Sequence, residues 1–107
     1  MDKTCFTKMK ELQNLIDYYL TTRNVYGAED ALEKLVELTT KDNYLKIINY
    51  IDTHESNKHE LDLSMYIVEI ANKEYQELIP IINSKLNKFI DKDAIEDLED
   101  AFKKINS

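Results

Sequence analysis

Carboxylates at helical spacing are the most frequent residues in this sequence that could do chemistry. Acidic residues outnumber basic ones 21 to 14, and the formal net charge is −7 at pH 7. Glu29, Glu33 and Glu37 follow one another at intervals of four residues, a spacing that places side chains on one helix face. Exposed carboxylates can attract a basic protein surface, whereas acid–base catalysis requires a carboxylate that reaches a substrate in a cleft. The pattern therefore favours binding over catalysis.

Two later segments repeat the acidic pattern, and tyrosines flank it. Tyrosine is enriched at protein interfaces because its ring buries area while its hydroxyl group can form a hydrogen bond. An alternative interpretation is that these charged faces only keep the chain in solution. The acidic residues and flanking tyrosines that we predict to bind a partner are Tyr26, Glu29, Asp30, Glu33, Glu37, Asp62, Tyr66, Glu69, Asp93, Glu96, Asp97 and Asp100.

Other reactive residue types do not form a recognisable site. His54, Glu55, His59 and Glu60 lie in the most polar connector, without the helical HExxH frame of a zinc site, which needs three or four converging ligands. Cys5 has no evident base beside it and is expected to act as a small apolar residue. No glycine-rich loop could hold a phosphate. We therefore predict no catalytic residue, no metal, no cofactor and no enzyme activity.

Composition predicts an all-α chain. The 107 residues include one glycine and one proline, whereas all-β and dinucleotide-binding folds need several glycine-rich turns. The length fits a single domain, 1–107. Arg23 is the only arginine, so neither nucleic acid nor an anionic membrane is an expected partner. One cysteine, no signal peptide and no long apolar run predict a cytoplasmic location.

Apolar residues spaced near 3.6 positions apart predict six helices. The first covers about residues 4–20, and the second is expected to open at Gly27 or Ala28. Thr39 or Thr40 could cap the third helix. The fourth passes through residues 63–71, and Asp91 is expected to cap the sixth.

Pro80 leaves two interpretations of the fifth helix. The apolar spacing continues through the proline, which favours a helix from about Lys73 to Ile90 that bends at Pro80. A proline inside a helix removes one hydrogen bond and clashes with the preceding turn. The alternative is therefore a helix that begins near Leu78, with Pro80 in its first turn.

Residues 35–49, LVELTTKDNYLKIIN, resemble residues 67–83, IVEIANKEYQELIPIIN. Each stretch is expected to cover the end of one helix and the start of the next. An offset of about 32 residues divides the chain into three helix pairs, near 4–39, 41–72 and 73–106. Three antiparallel pairs that stack in order would form a short α-solenoid. The alternative is an irregular helical bundle.

The last pair carries a resemblance to a known repeat family. ELIPIINSKLNKFID, residues 77–91, followed by KDAIEDLEDAFKKI, residues 92–105, resembles a HEAT-like repeat, in which a first helix with a proline packs on a second helix. The resemblance implies a HEAT-like α-solenoid. The interior aspartate and arginine of that family are missing, since Arg23 lies elsewhere.

The overall profile is similar to that of small acidic bacterial immunity proteins, which neutralise toxins. Several such toxins are nucleases with basic clefts. This similarity implies a non-catalytic, cytoplasmic protein that masks a basic protein partner, most specifically a cognate toxin. The alternative function is a small helical scaffold or regulatory subunit that joins other proteins.

Overall fold

The part of the chain that the structure describes is mostly helical. The computed structural model describes residues 3–54, 59–73 and 75–106, and no strand occurs in these ranges. None of the helices there is both long and apolar enough to cross a membrane. The six helices are α1 (Lys3–Thr21), α2 (Val25–Leu38), α3 (Tyr44–Thr53), α4 (His59–Ile70), α5 (Leu78–Leu86) and α6 (Lys92–Asn106), with a 3₁₀ turn at Ala71–Lys73. The prediction of an all-α protein with about six helices is confirmed.

The chain divides into two compact units, Met1–Asn57 and Lys58–Ser107. In the N-terminal unit α1 packs on α2 and, less extensively, on α3. In the C-terminal unit α6 packs most extensively on α4 and also contacts α5 and the 3₁₀ turn. This packing fits the predicted alternative, a helical bundle. The HEAT-like solenoid, its antiparallel pairs and the single domain 1–107 stay predictions.

Each unit buries its own set of apolar side chains. The apolar positions recur at helical spacing, so each helix turns one face inward. In the N-terminal unit the buried apolar residues are Leu12, Ile16, Tyr19, Leu20, Ala31, Leu32, Leu35, Tyr44, Ile47, Ile48 and Ile51. In the C-terminal unit they are Leu63, Tyr66, Ile67, Ile70, Ala71, Leu78, Ile82, Phe89, Ala94, Leu98, Ala101 and Ile105.

Side-chain oxygens cap the starts of α2 and α6. The Asn24 Oδ1 atom accepts hydrogen bonds from the backbone N–H groups of Tyr26 and Gly27, at 3.0 and 3.3 Å. Asp91 accepts in the same way from Asp93 and Ala94, at 2.9 and 3.2 Å. The predicted Asp91 cap is confirmed. The predicted start of α2 at Gly27 or Ala28 is wrong, because the asparagine cap begins the helix at Val25.

A side-chain network closes α2 and shapes the turn before α3. The Thr39 hydroxyl donates to the Leu35 carbonyl at 2.7 Å. Asn43 accepts from the Thr40 N–H at 2.7 Å and donates to the Leu38 carbonyl at 3.0 Å. The α3 helix therefore begins at Tyr44, and the two threonines lie in the preceding turn rather than at its cap.

Pro80 lies in the first turn of α5, so the predicted bent helix from Lys73 to Ile90 is wrong. Between the 3₁₀ turn and α5, the described residues 75–77 are not α-helical. The α5 helix begins at Leu78, whose N–H donates to the Tyr75 carbonyl at 3.0 Å. A proline in the first turn removes an N–H that has no partner within the helix. The alternative interpretation, a start near Leu78, was the correct one.

The two similar stretches have similar roles in the element order. Each covers the end of one helix and the beginning of the next, α2 to α3 and α4 to α5. Val36 and Val68 are half-buried, and Glu37 and Glu69 are exposed. Leu38 departs from this agreement, because it is exposed whereas Ile70 is buried. The similarity between the two stretches therefore reflects a shared order of elements, in which one helix ends, the chain turns and the next helix begins.

A proline in the first turn of α5 and a proline in its interior should affect the free energy of unfolding differently. We expect Pro80→Ala to change the free energy of unfolding by less than about 1 kcal/mol, because Pro80 already fits its turn. We expect Ser84→Pro to destabilise by about 3 kcal/mol or more, because it removes an interior hydrogen bond. Urea denaturation followed by circular dichroism measures both. Equal effects of the two variants would contradict the assigned start of α5.

Candidate protein-binding site

The outward side of α2 carries five of the predicted binding residues, and all five are exposed. We call this surface the α2 face: Tyr26, Glu29, Asp30, Glu33 and Glu37. At 3.6 residues per turn these positions fall within about a third of the helix circumference. The buried residues of α2, Ala31, Leu32 and Leu35, lie on the opposite side. Core packing by one side of α2 therefore fixes the direction in which the α2 face points.

The carboxylates of the α2 face are uncompensated within the described part of the chain. Glu29, Asp30, Glu33 and Glu37 make no ion pair and no side-chain hydrogen bond there. Lys34 is the one basic residue within α2. Like charges four residues apart destabilise an isolated helix by a few tenths of a kcal/mol per pair. The resulting negative field is available to a basic partner.

Tyr26 stands at the start of the α2 face with 78% of its surface exposed. Its N–H is held by the Asn24 cap, which fixes the first turn of the helix. The neighbouring Val25 is also exposed. An exposed aromatic ring on a fixed backbone loses little conformational entropy when a partner covers it.

Two residues predicted to bind a partner are buried, and a third is only half-exposed. Tyr66 is 0% exposed and Asp62 is 8% exposed, so both predictions are wrong. Tyr66 falls three residues after Leu63 and four before Ile70, on the buried side of α4. Asp97, also predicted to bind a partner, is only half-exposed.

Asp97 turns towards α4 because of its position on α6. It falls three residues after Ala94 and four before Ala101, both of which are buried. Its Oδ2 atom accepts a hydrogen bond from the buried Ser64 hydroxyl at 3.3 Å. Burial raises the pKa of the Asp97 carboxyl, the Ser64 hydrogen bond partly offsets this, and nearby aspartates raise the pKa further. Four other predicted residues, Glu69, Asp93, Glu96 and Asp100, are exposed as expected.

A cluster of three polar side chains in the N-terminal unit was missed by sequence reasoning. The Tyr50 hydroxyl donates to Asp17 Oδ1 at 2.7 Å, and His54 Nε2 lies 3.4 Å from the same oxygen. The only signal in the sequence was that Tyr50 lies off the apolar stripe of its helix. Asp17 and Tyr50 are 33 positions apart, so no local pattern joins them.

This cluster is arranged to join helices rather than to activate a nucleophile. The hydrogen bond to the Asp17 carboxylate raises the pKa of Tyr50, with smaller contributions from burial and from the charge of Asp17. A phenol whose pKa is raised is a poorer source of phenolate at neutral pH. The bond instead connects α1 to α3 in the N-terminal unit.

A shallow groove of about 240 Å³ lies between α5 and α6. Leu86 and Phe102 supply apolar surface, while Asn83, Glu99 and Lys103 supply polar groups. Within the described ranges, no group of three or more histidine, cysteine or acidic side chains is placed to hold a metal ion. The side chains of Glu55 and His59, from the polar connector, and the side chain of Cys5, in α1, lie outside the described part of the structure.

Asp97→Asn is expected to raise the melting temperature near pH 7. A carboxyl group whose pKa is raised on folding opposes folding when it is ionised, so its unfavourable effect is complete above the folded-state pKa. As the pH falls through that pKa towards the unfolded value, the effect disappears. Thermal melts near pH 7 and at about pH 4 should show a gain that shrinks on acidification. Asp93→Asn, at an exposed position, is the matched control.

Tyr50→Phe is expected to destabilise the N-terminal unit by about 1 kcal/mol, since it removes a hydrogen bond to a carboxylate. Tyr26→Phe removes an exposed hydroxyl and should change the free energy of unfolding by less than about 0.5 kcal/mol. Urea denaturation of both variants makes the comparison. If both variants unfold at the parent midpoint, the bond between Tyr50 and Asp17 contributes nothing to stability.

The exposed predicted residues lie mainly on two helices, with five on the α2 face and three, Asp93, Glu96 and Asp100, on α6. Only the α2 face combines its carboxylates with an exposed tyrosine, Tyr26. Comparison of the chain with protein-family models, with curated proteins and with solved structures found no match. The function of the α2 face is therefore inferred from its own residues, their exposure and their charge.

Proposed function

We propose that this chain is a non-catalytic protein-binding protein whose α2 face covers a basic surface of a partner protein. The observation that carries the proposal is the row of four exposed, uncompensated carboxylates behind the exposed Tyr26. A row of this kind increases the rate of encounter with a basic surface. The tyrosine ring supplies the apolar contact that holds the complex once it has formed.

The finer form of the proposal is an immunity protein that neutralises a cognate toxin. A toxin that acts on nucleic acid carries a basic cleft to hold phosphates, and an acidic helix face complements such a cleft in charge. The action would take place in the cytoplasm, in keeping with the single cysteine of the chain. The partner would then be encoded by the gene directly before that of this chain.

A second candidate function is a scaffold that joins two proteins. The C-terminal unit presents Ile90 with 85% of its surface exposed. The Glu60 carboxylate accepts hydrogen bonds from the N–H groups of Ile90 and Asp91, each at 2.9 Å. The exposed isoleucine is therefore held on a fixed backbone. A scaffold would bind one protein at the α2 face and another near Ile90.

Charge reversal on the α2 face is expected to weaken binding of the basic partner at least about tenfold. The variant is Glu29→Lys, Glu33→Lys and Glu37→Lys together. The probe is the basic domain encoded by the preceding gene, and surface plasmon resonance measures both rate constants. Added salt should slow association by the parent much more than it accelerates dissociation, because charge steering acts on encounter.

A second triple reversal with the same change in net charge is the matched control: Glu69→Lys, Glu96→Lys and Asp100→Lys. These positions are exposed in the C-terminal unit, and binding should fall much less than with the α2 variant. Circular dichroism must show unchanged helicity in both. Equal losses would show that overall charge, and not the α2 face, drives binding.

The gene neighbourhood tests the finer form of the proposal. An adjacent gene without a basic toxin domain would contradict the immunity proposal. Simultaneous binding of two partner proteins would favour the scaffold.

A further inference from the structure

Ser64 is a fully buried polar residue of α4, and its hydroxyl group lies beside Asp97 of α6. The hydroxyl oxygen is 2.8 Å from the Leu61 carbonyl oxygen and 3.3 Å from Asp97 Oδ2. A serine hydroxyl carries one proton, so it can donate fully to only one of these two oxygens at a time. The shorter distance is typical of an O–H···O hydrogen bond, whereas 3.3 Å is long. The geometry therefore favours donation to Leu61, which leaves the Ser64 oxygen facing Asp97 as a possible acceptor.

The protonation state of Asp97 determines how many hydrogen bonds these three groups can form. When Asp97 is ionised, it and the Leu61 carbonyl are both acceptors and compete for the single Ser64 proton, so one bond forms at a time. When Asp97 is protonated, its own O–H can donate to Ser64 while Ser64 donates to Leu61. Protonation therefore allows both bonds to exist together, and one of them joins α6 to α4.

The surroundings of Asp97 also favour its protonated form. Burial raises the pKa of the Asp97 carboxyl, and donation by Ser64 to the ionised form lowers it. The negative charges of three neighbours raise the pKa further: Asp100, Asp93 and Asp91. No basic group is among the causes of the shift in the pKa of Asp97. The other charged side chains described on α6 near its end and on the elements packed against it are Lys103 and Lys104, Glu60, Asp62 and Glu69 of α4, Lys73 of the 3₁₀ turn and Lys85 of α5.

We infer that Asp97 is a proton-operated link between α4 and α6, which forms its bond to Ser64 as a donor when the pH falls. The proton comes from solvent and returns to it when the pH rises. Because the folded-state pKa is raised, the added stability appears as the pH falls through that value and is complete below the unfolded-state value. Carboxylates that are paired in the folded state act in the opposite direction, since they lose their contacts on acidification. The inference concerns the C-terminal unit alone and does not depend on the proposed partner.

Ser64→Ala tests the link through an NMR titration of the Asp97 carboxyl carbon in the full chain. We expect the pKa of Asp97 to fall by about half a unit to one unit, because the protonated form loses two hydrogen bonds and the ionised form loses one. Ser84→Ala, at an exposed serine of α5, is the matched control and should leave the pKa unchanged. A serine that only donated to the carboxylate would raise the pKa when removed. An unchanged or higher pKa in Ser64→Ala therefore overturns the inference.

Asp97→Asn separates the hydrogen bond from the charge, and it decides the outcome if Ser64→Ala does not fold. The introduced amide carries N–H groups at any pH, so one of them can donate to Ser64 as the protonated carboxyl does. We expect that N–H to exchange with solvent at least about tenfold more slowly than the side-chain amide of the exposed Asn87. Equal exchange at the two amides overturns the inference, because the introduced side chain would then turn its oxygen, and not its N–H, towards Ser64.

Discussion

Closure of helix ends by side-chain oxygens is the constraint on which this structure depends. A helix leaves its first N–H and last C=O groups without partners, and many chains satisfy the last ones with glycine. This sequence has one glycine, and that residue lies within α2. At the end of α2 the Thr39 hydroxyl and the Asn43 side-chain amide donate to carbonyl groups instead. Asn24 and Asp91 accept from the first N–H groups of α2 and α6, so the backbones of these turns are fixed. Tyr26 and Ile90, the most exposed of the large apolar side chains in the described ranges, lie on segments whose backbone N–H groups bond to side chains.

The helices themselves could be predicted because their signals are local. Apolar residues at helical spacing mark α1 to α4 and α6, and Asp91 sits one residue before α6. The error at Pro80 came from counting apolar spacing across residues 75–77, which are not α-helical. Spacing alone does not distinguish a continuous helix from two elements whose apolar residues remain in phase. The missing N–H of proline was the better guide.

The exposure of the candidate binding residues could be predicted only where the apolar stripe of a single helix determines it. On α2 the acidic residues lie opposite a clear apolar stripe, and their exposure follows from that stripe. On α6 the residue next to the apolar stripe is Asp97, and its environment depends on Ser64, 33 positions earlier. The bond of Tyr50 with Asp17 likewise joins residues on different helices. Periodicity within one helix carries no information about such contacts, so they became visible only in three dimensions.

The packing of the C-terminal unit has a consequence for synthesis on the ribosome. The most extensive packing of α4 is with α6, and α6 is made after α5. Until α6 has left the exit tunnel, the apolar side of α4, including Leu63 and Tyr66, lacks its principal cover. Exposed apolar surface on a nascent chain promotes aggregation and is bound by chaperones. The N-terminal unit has no such delay, because α1 meets α2 as soon as α2 emerges.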